Sequence, residues 1–158
     1  MIIESPLDLI FRDLFYRLPS FAGSNDVFLK LEGFNVTGSI KIKTAIALIE
    51  DLEQRGVAKT NETVIVESSS GNLGLALSLV CAAKRYKFVC VTDPNANRAT
   101  IRGMELYGAK VVVAKERERR RTSRNLAVAV VDATVARTHE KVGALQPAHR
   151  TAKMRTVR

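Results

Sequence analysis

The chain has 158 residues, the length of one ordinary domain, and 46% of them are hydrophobic, which fits a globular protein. No run approaches the roughly 18 uninterrupted apolar residues of a membrane span, and Glu4, Asp8 and Asp13 near the start argue against a secretory signal. The net charge of +9 suggests nucleic acid, but residues 1–113 hold 13 basic against 12 acidic residues, and residues 114–158 hold 12 against 4. The basic excess belongs to the C-terminal stretch alone, and no aromatic residue interleaves it, which argues against a nucleic-acid partner.

In chain order, SPLDLIFRDLFYRL (5–18) has a capping serine, Pro6 in the first turn and apolar residues at helical spacing, so it predicts a helix. VFLKLE (27–32) predicts a strand. Residues 39–55 predict a helix ended by Gly56. Strand 63–67, helix 72–84, strand 88–92, helix 97–107 and strand 110–114 follow. Short β-branched runs alternating with helices imply an α/β fold with a parallel sheet and helices on both faces. Helix 72–84 is apolar nearly all round, which predicts burial against that sheet. Cys81 and Cys90 lie in apolar segments without metal or redox spacing, as expected of buried free thiols in a reducing cytoplasm.

From residue 115 the text changes to Arg, Ala, Val and Thr, with a single glycine, Gly143. LAVAVV (126–131) could form a strand, but no further βα unit follows. Three readings stand: a solvated basic helix with a disordered end, a basic interaction module around KERERRRTSR, or text translated out of frame.

LEGFNVTGSIKIKTA (31–45) puts Lys41 and Lys43 at the start of a helix, where the backbone dipole disfavours a cation. With Ser39 as the cap, helical spacing groups Lys41 with Ala45, Leu48 and Leu52, and Lys43 with the wetter Ala47, Glu50 and Gln54. Burial and the helix N-terminus would both favour a neutral Lys41 amine, able to form a Schiff base with an aldehyde. The alternative is that Lys41 extends into solvent without a chemical role. ESSSGNLG (67–74) follows a strand and opens a helix, at the end of a parallel sheet where ligands bind. Its hydroxyls (Ser68, Ser69, Ser70) and free amides near Gly71 and Asn72 could cup a carboxylate or phosphate. An ordinary capping loop would have the same composition.

KLEGFNVTGSIKIKTA, ESSSGNLGLALSLVCAAKRYKFVCVTDPN and GMELYGAKVVV, taken in order over residues 27–114, resemble the cysteine synthase family of pyridoxal-phosphate enzymes. The resemblance implies the tryptophan-synthase-β-like fold (fold type II), with residues 1–38 as a fragment of the large domain. Residues 39–114 would be the small substrate-closing α/β domain, and 115–158 a basic tail. It implies that Lys41 carries pyridoxal 5'-phosphate, that Asn72 hydrogen-bonds the pyridine ring's phenolic oxygen, and that Ser69, Ser70, Gly71, Asn72 and Leu73 hold the carboxylate of an amino-acid substrate. No metal is implied, and the family forms homodimers.

The usual family text is N-P-G-G-S-V-K-D-R and T-S-G-N-T, against which Val36, Ile42, Lys43 and Leu73 are departures. These departures look more like the branch that joins O-phosphoserine to glutamate on the way to 2,3-diaminopropionate, for siderophores and peptide antibiotics. The implied reaction is a β-replacement on an O-activated L-serine, with cysteine synthase proper as the alternative. The family's glycine-rich phosphate cup and its pyridine-nitrogen partner are not recognisable after Gly108, so weak or no stable cofactor binding and a truncated copy of doubtful activity are the expectation.

Overall fold

The computed structural model describes residues 2–22, 25–114, 129–132 and 155–156. Ser5 caps a short 3-10 turn, Pro6–Asp8, as its sequence suggests: Ser5 Oγ accepts the Leu7 N–H at 3.2 Å, and the Ser5 N–H donates to Asp8 at 3.1 Å. The helix expected over 5–18 does not continue. Phe15–Ala22 is a strand, β1, paired antiparallel with β2, Asn25–Lys30. Adjacent aromatic residues at 15 and 16 favour the pleated backbone, and pairing with β2 overrides the local helical period. A second 3-10 turn, Glu32–Phe34, leads from β2 toward the first long helix.

The remaining elements follow the expected order: α1 (Lys41–Gln54), β3 (Thr63–Ser68), α2 (Asn72–Ala83), β4 (Lys87–Thr92), α3 (Arg98–Leu106) and β5 (Lys110–Val113). Gly56 and Gly108 close α1 and α3 with φ of +65° and +84°, the left-handed geometry glycine adopts without a Cβ penalty. Strands β3, β4 and β5 are parallel neighbours. Two further strands extend the sheet past β3. They are β6, Ala129–Asp132, antiparallel to β3, and β7, Arg155–Thr156, antiparallel to β6. The strand considered possible at 126–131 therefore exists in part, displaced by a few residues. The three readings of the basic tail otherwise fall outside the described residues.

The sheet order β5-β4-β3 means that the chain advances in one direction across the three parallel strands. Right-handed crossovers then place α2 and α3 on the same face. Helix α1 joins that layer through α2, and Ile42, Ala45, Ile49 and Leu52 share one core with Ala76, Leu77, Val80 and Cys81. Ile65, Phe88 and Cys90 complete this core from the sheet, and register places Ile65 beside Phe88. Among the described residues the helices therefore cover one face, not the two expected. No reversal of strand order occurs within β3–β5 to send a helix to the other side. Helix α2 is buried along most of its length between α1, α3 and the sheet, as its composition predicts. No helix of the described residues is long and apolar enough to cross a membrane.

Candidate active site

Lys41 is the first residue of α1 and Asn72 the first of α2. The two helices pack side by side, and their far ends are tied together. Lys84 Nζ donates to Glu53 at 2.6 Å, and the Tyr86 hydroxyl donates to the other Glu53 oxygen at 3.1 Å. Glu53 lies twelve residues after Lys41, and Lys84 lies twelve after Asn72. At about 1.5 Å of rise per residue, two packed helices joined there must run parallel, with Lys41 and Asn72 at the same end. Packed helices have axes roughly 8–10 Å apart. The serine loop leaves the carboxyl end of β3, so this shared end is also the ligand-binding end of the parallel strands.

Within the loop, Ser69 faces inward. Its Oγ accepts the N–H groups of Gly71 at 3.3 Å and Gly74 at 3.0 Å, so it serves the turn itself and keeps only its hydroxyl proton to donate. Ser70 and Asn72 are exposed, and Gly71 and Leu73 are half-buried. As the first two helical residues, Asn72 and Leu73 have backbone N–H groups with no intrahelical acceptor. Among the described residues none is supplied by a side chain, because Gly71 caps α2 without one. Those amides and the positive end of the α2 dipole suit an anion such as a carboxylate.

Lys41 departs from expectation in one respect. It is exposed, and Ile42 beside it is the fully buried residue. The stripe of α1 that packs is Ile42, Ala45, Ile49 and Leu52, so Lys41 falls beside it and not on it. Ser39 accepts the Lys41 N–H at 3.3 Å, although the capping position proper is Ile40, already helical. Lys43 is half-buried and paired with Glu32 at 2.8 Å, while Ala47, Glu50 and Gln54 face water as expected.

Several polar groups around this end were not singled out by sequence. Glu32 accepts from Lys43 and, at 2.7 Å, from Asn35 Nδ2, and the Lys43 bond holds its carboxyl below the usual range. Asn35 is 4% exposed and accepts the Phe11 N–H at 3.1 Å. A side chain linking segments 24 residues apart leaves no local sequence pattern. Glu67 is 5% exposed on the helix-facing side of β3, beside Cys90. Burial pushes its carboxyl up to about 7, against an opposing bond from the Ser68 backbone. The Thr37 and Thr92 hydroxyls are buried without a partner among the described residues. Both cysteines are free and buried, as expected, and burial pushes the Cys81 thiol up to about 12 and that of Cys90 up to about 11.

Comparison with known proteins bears on this arrangement. A family profile described as Pyridoxal-phosphate dependent enzyme matches residues 9–151. O-ureido-L-serine synthase of Streptomyces lavendulae is 37% identical over 113 residues, covering 71% of this chain and 35% of that protein. Cysteine synthase B of Escherichia coli K12 is 34% identical over 104 residues, covering 66% and 34%. The crystal structure of O-ureido-L-serine synthase superposes with a TM-score of 0.67 at 34% identity, covering 75% of this chain and 37% of that one. The chain thus spans about a third of the length of these relatives.

Proposed function

The chain belongs to the family of pyridoxal-phosphate dependent enzymes, and from that premise we propose that residues 39–114 form the substrate-closing domain of a β-replacement enzyme acting on an O-activated L-serine. The observation that carries this reading is the common end of α1 and α2, which brings an exposed lysine amine and the Asn72 and Leu73 amides, unpaired among the described residues, to the same side of one sheet. The residues present fit the cofactor in kind. Lys41 offers an exposed primary amine to an aldehyde, and Asn72 an exposed amide to a ring oxygen.

When bound, pyridoxal 5'-phosphate supplies the electron sink that stabilises negative charge on the substrate α-carbon. The other roles fall to the chain. The amides of Asn72 and Leu73, with the Ser70 hydroxyl, orient the substrate carboxylate. Ser69 keeps that loop in shape through Gly71 and Gly74. Lys41 Nζ would hold the cofactor aldehyde and would serve as the base for the substrate α-proton, the requirement for replacing a β-leaving group by a nucleophile.

For the substrates, O-phosphoserine as donor and glutamate as nucleophile, giving the precursor of 2,3-diaminopropionate, are the preferred pair. Support comes from GSIKIKTA with ESSSGNLG, where Ile42 fills the core at a position the family more often gives to aspartate. Cysteine synthesis is the second reading, favoured by the 34% identity to cysteine synthase B. The homodimer of the family and a cytoplasmic location complete the proposal, the latter in keeping with two free thiols.

Substrate binding to the loop tests the core of the reading. In a titration followed by NMR, O-phospho-L-serine should shift the amides of Asn72 and Leu73 more than O-acetyl-L-serine does, and carboxylate-blocked phosphoserine should leave them unmoved. A larger shift with O-acetyl-L-serine would favour cysteine synthesis. Equal shifts with the blocked compound would contradict carboxylate binding altogether.

A further inference from the structure

Lys43 is a cation in the first turn of α1, where the helix dipole opposes positive charge. A compensating anion comes from outside the helix. Glu32 lies eleven residues earlier in the chain, its side chain only 17% exposed, and accepts from Lys43 Nζ at 2.8 Å. Lys30 also faces it, at 3.6 Å. The same carboxylate accepts from Asn35 Nδ2, which donates as well to the Glu32 carbonyl at 3.0 Å. Asn35 reaches back through Oδ1 to the Phe11 N–H, and its own carbonyl accepts the Gly38 N–H at 2.7 Å. Gly38, at φ +68°, is the bend from which the chain turns into Ser39 and Lys41. Three stretches, around Phe11, residues 32–38 and the first turn of α1, are therefore fastened through one carboxylate and one amide.

We propose that Glu32 is a positioning residue for Lys41. By clamping Lys43 from one side and Asn35 from the other, it fixes the loop that leads into α1 and so the direction in which the helix presents the Lys41 amine. This rests on the reading of Lys41 as the cofactor-bearing amine. Lys41 itself makes no side-chain bond among those described, so its bearing depends on the backbone that carries it. Two side chains away on the opposite helix edge, Lys43 provides the grip.

The test uses the full chain with Glu32→Gln, Lys43→Met and the conservative Lys43→Arg. Amide hydrogen exchange is measured at Gly38, Lys41 and Lys43, with residues 76–80 of α2 as the reference. Glu32→Gln and Lys43→Met should speed exchange at the first three on the order of tenfold without changing α2, as local opening does. Lys43→Arg should behave as the unsubstituted chain. In parallel, protein treated with pyridoxal 5'-phosphate and then borohydride should lose its excess of label at Lys41, relative to Lys59 and Lys87, in the first two variants only. Unchanged exchange, or exchange that rises equally in α2, would overturn the clamp. If the unsubstituted chain shows no excess at Lys41, the reading of Lys41 fails, and with it the positioning role. An excess that survives Glu32→Gln overturns the role of Glu32 alone.

Discussion

A carboxyl group raised to about 7 by burial, as in Glu67, makes stability depend on pH in a defined direction. In the unfolded chain it ionises near the ordinary glutamate value of about 4.3. Below that value both states are protonated and the group contributes no difference. Between there and about 7 the unfolded state loses its proton while the folded state keeps it, so stability falls as pH rises through this window and then levels off. The raised value corresponds to roughly 4 kcal/mol at most, since one unit is worth about 1.4 kcal/mol. Urea unfolding of the native chain should therefore show a midpoint that drops between pH 5 and pH 8, and Glu67→Gln should flatten that drop. The same slope in both proteins would contradict the assignment. At this scale sequence was uneven as a guide. Lys41 and Asn72 were legible because each opens a helix after a marked loop. Glu32, Asn35 and Glu67 were not, since their partners come from other elements. The spacing 41, 45, 48 and 52 puts Lys41 on an apolar face, but the stripe that packs is Ile42, Ala45, Ile49 and Leu52, one residue round the helix.

Among the elements, α2 is the most constrained. Gly74, in its first turn, lies so close to its neighbours that an added Cβ would stand 2.9 Å from Met104 Cε, 3.0 Å from Cys90 Sγ and 3.1 Å from Ser69 Cβ. Met104 can yield through its flexible end; Cys90 on β4 and Ser69 in the loop have little freedom. Overpacking of this kind costs about 1–3 kcal/mol, against which the better helix propensity of alanine returns about 1 kcal/mol. Gly74→Ala should therefore lower stability by as much as about 2 kcal/mol in urea unfolding, and a higher midpoint would contradict the packing described. The βα alternation from α1 to β5 was readable because each unit is short, strongly patterned and closed by turn chemistry such as Gly56 and Gly108. The helix expected at 5–18 failed at the same level. Ser5 and Pro6 do start a turn, but β1 then takes its hydrogen bonds from β2, and no periodicity count includes a partner strand.

For the molecule as a whole, the informative fact is a direction. Glu53, Lys84 and Tyr86 fix the far ends of α1 and α2, so the near ends, with Lys41 and the serine loop, share one end of the sheet. That juxtaposition is what turns two motifs, each compatible with an ordinary helix start, into a candidate site. The one-sided helix layer was not legible, because the order of strands in a sheet is a property of the fold, not of any segment. The most direct measurement is to treat the chain with pyridoxal 5'-phosphate, reduce with borohydride and map the modified lysine by peptide mass spectrometry. The expected result is label concentrated at Lys41 and absent from Lys41→Ala, and label spread over Lys43, Lys59 and Lys87 without excess at Lys41 would contradict it.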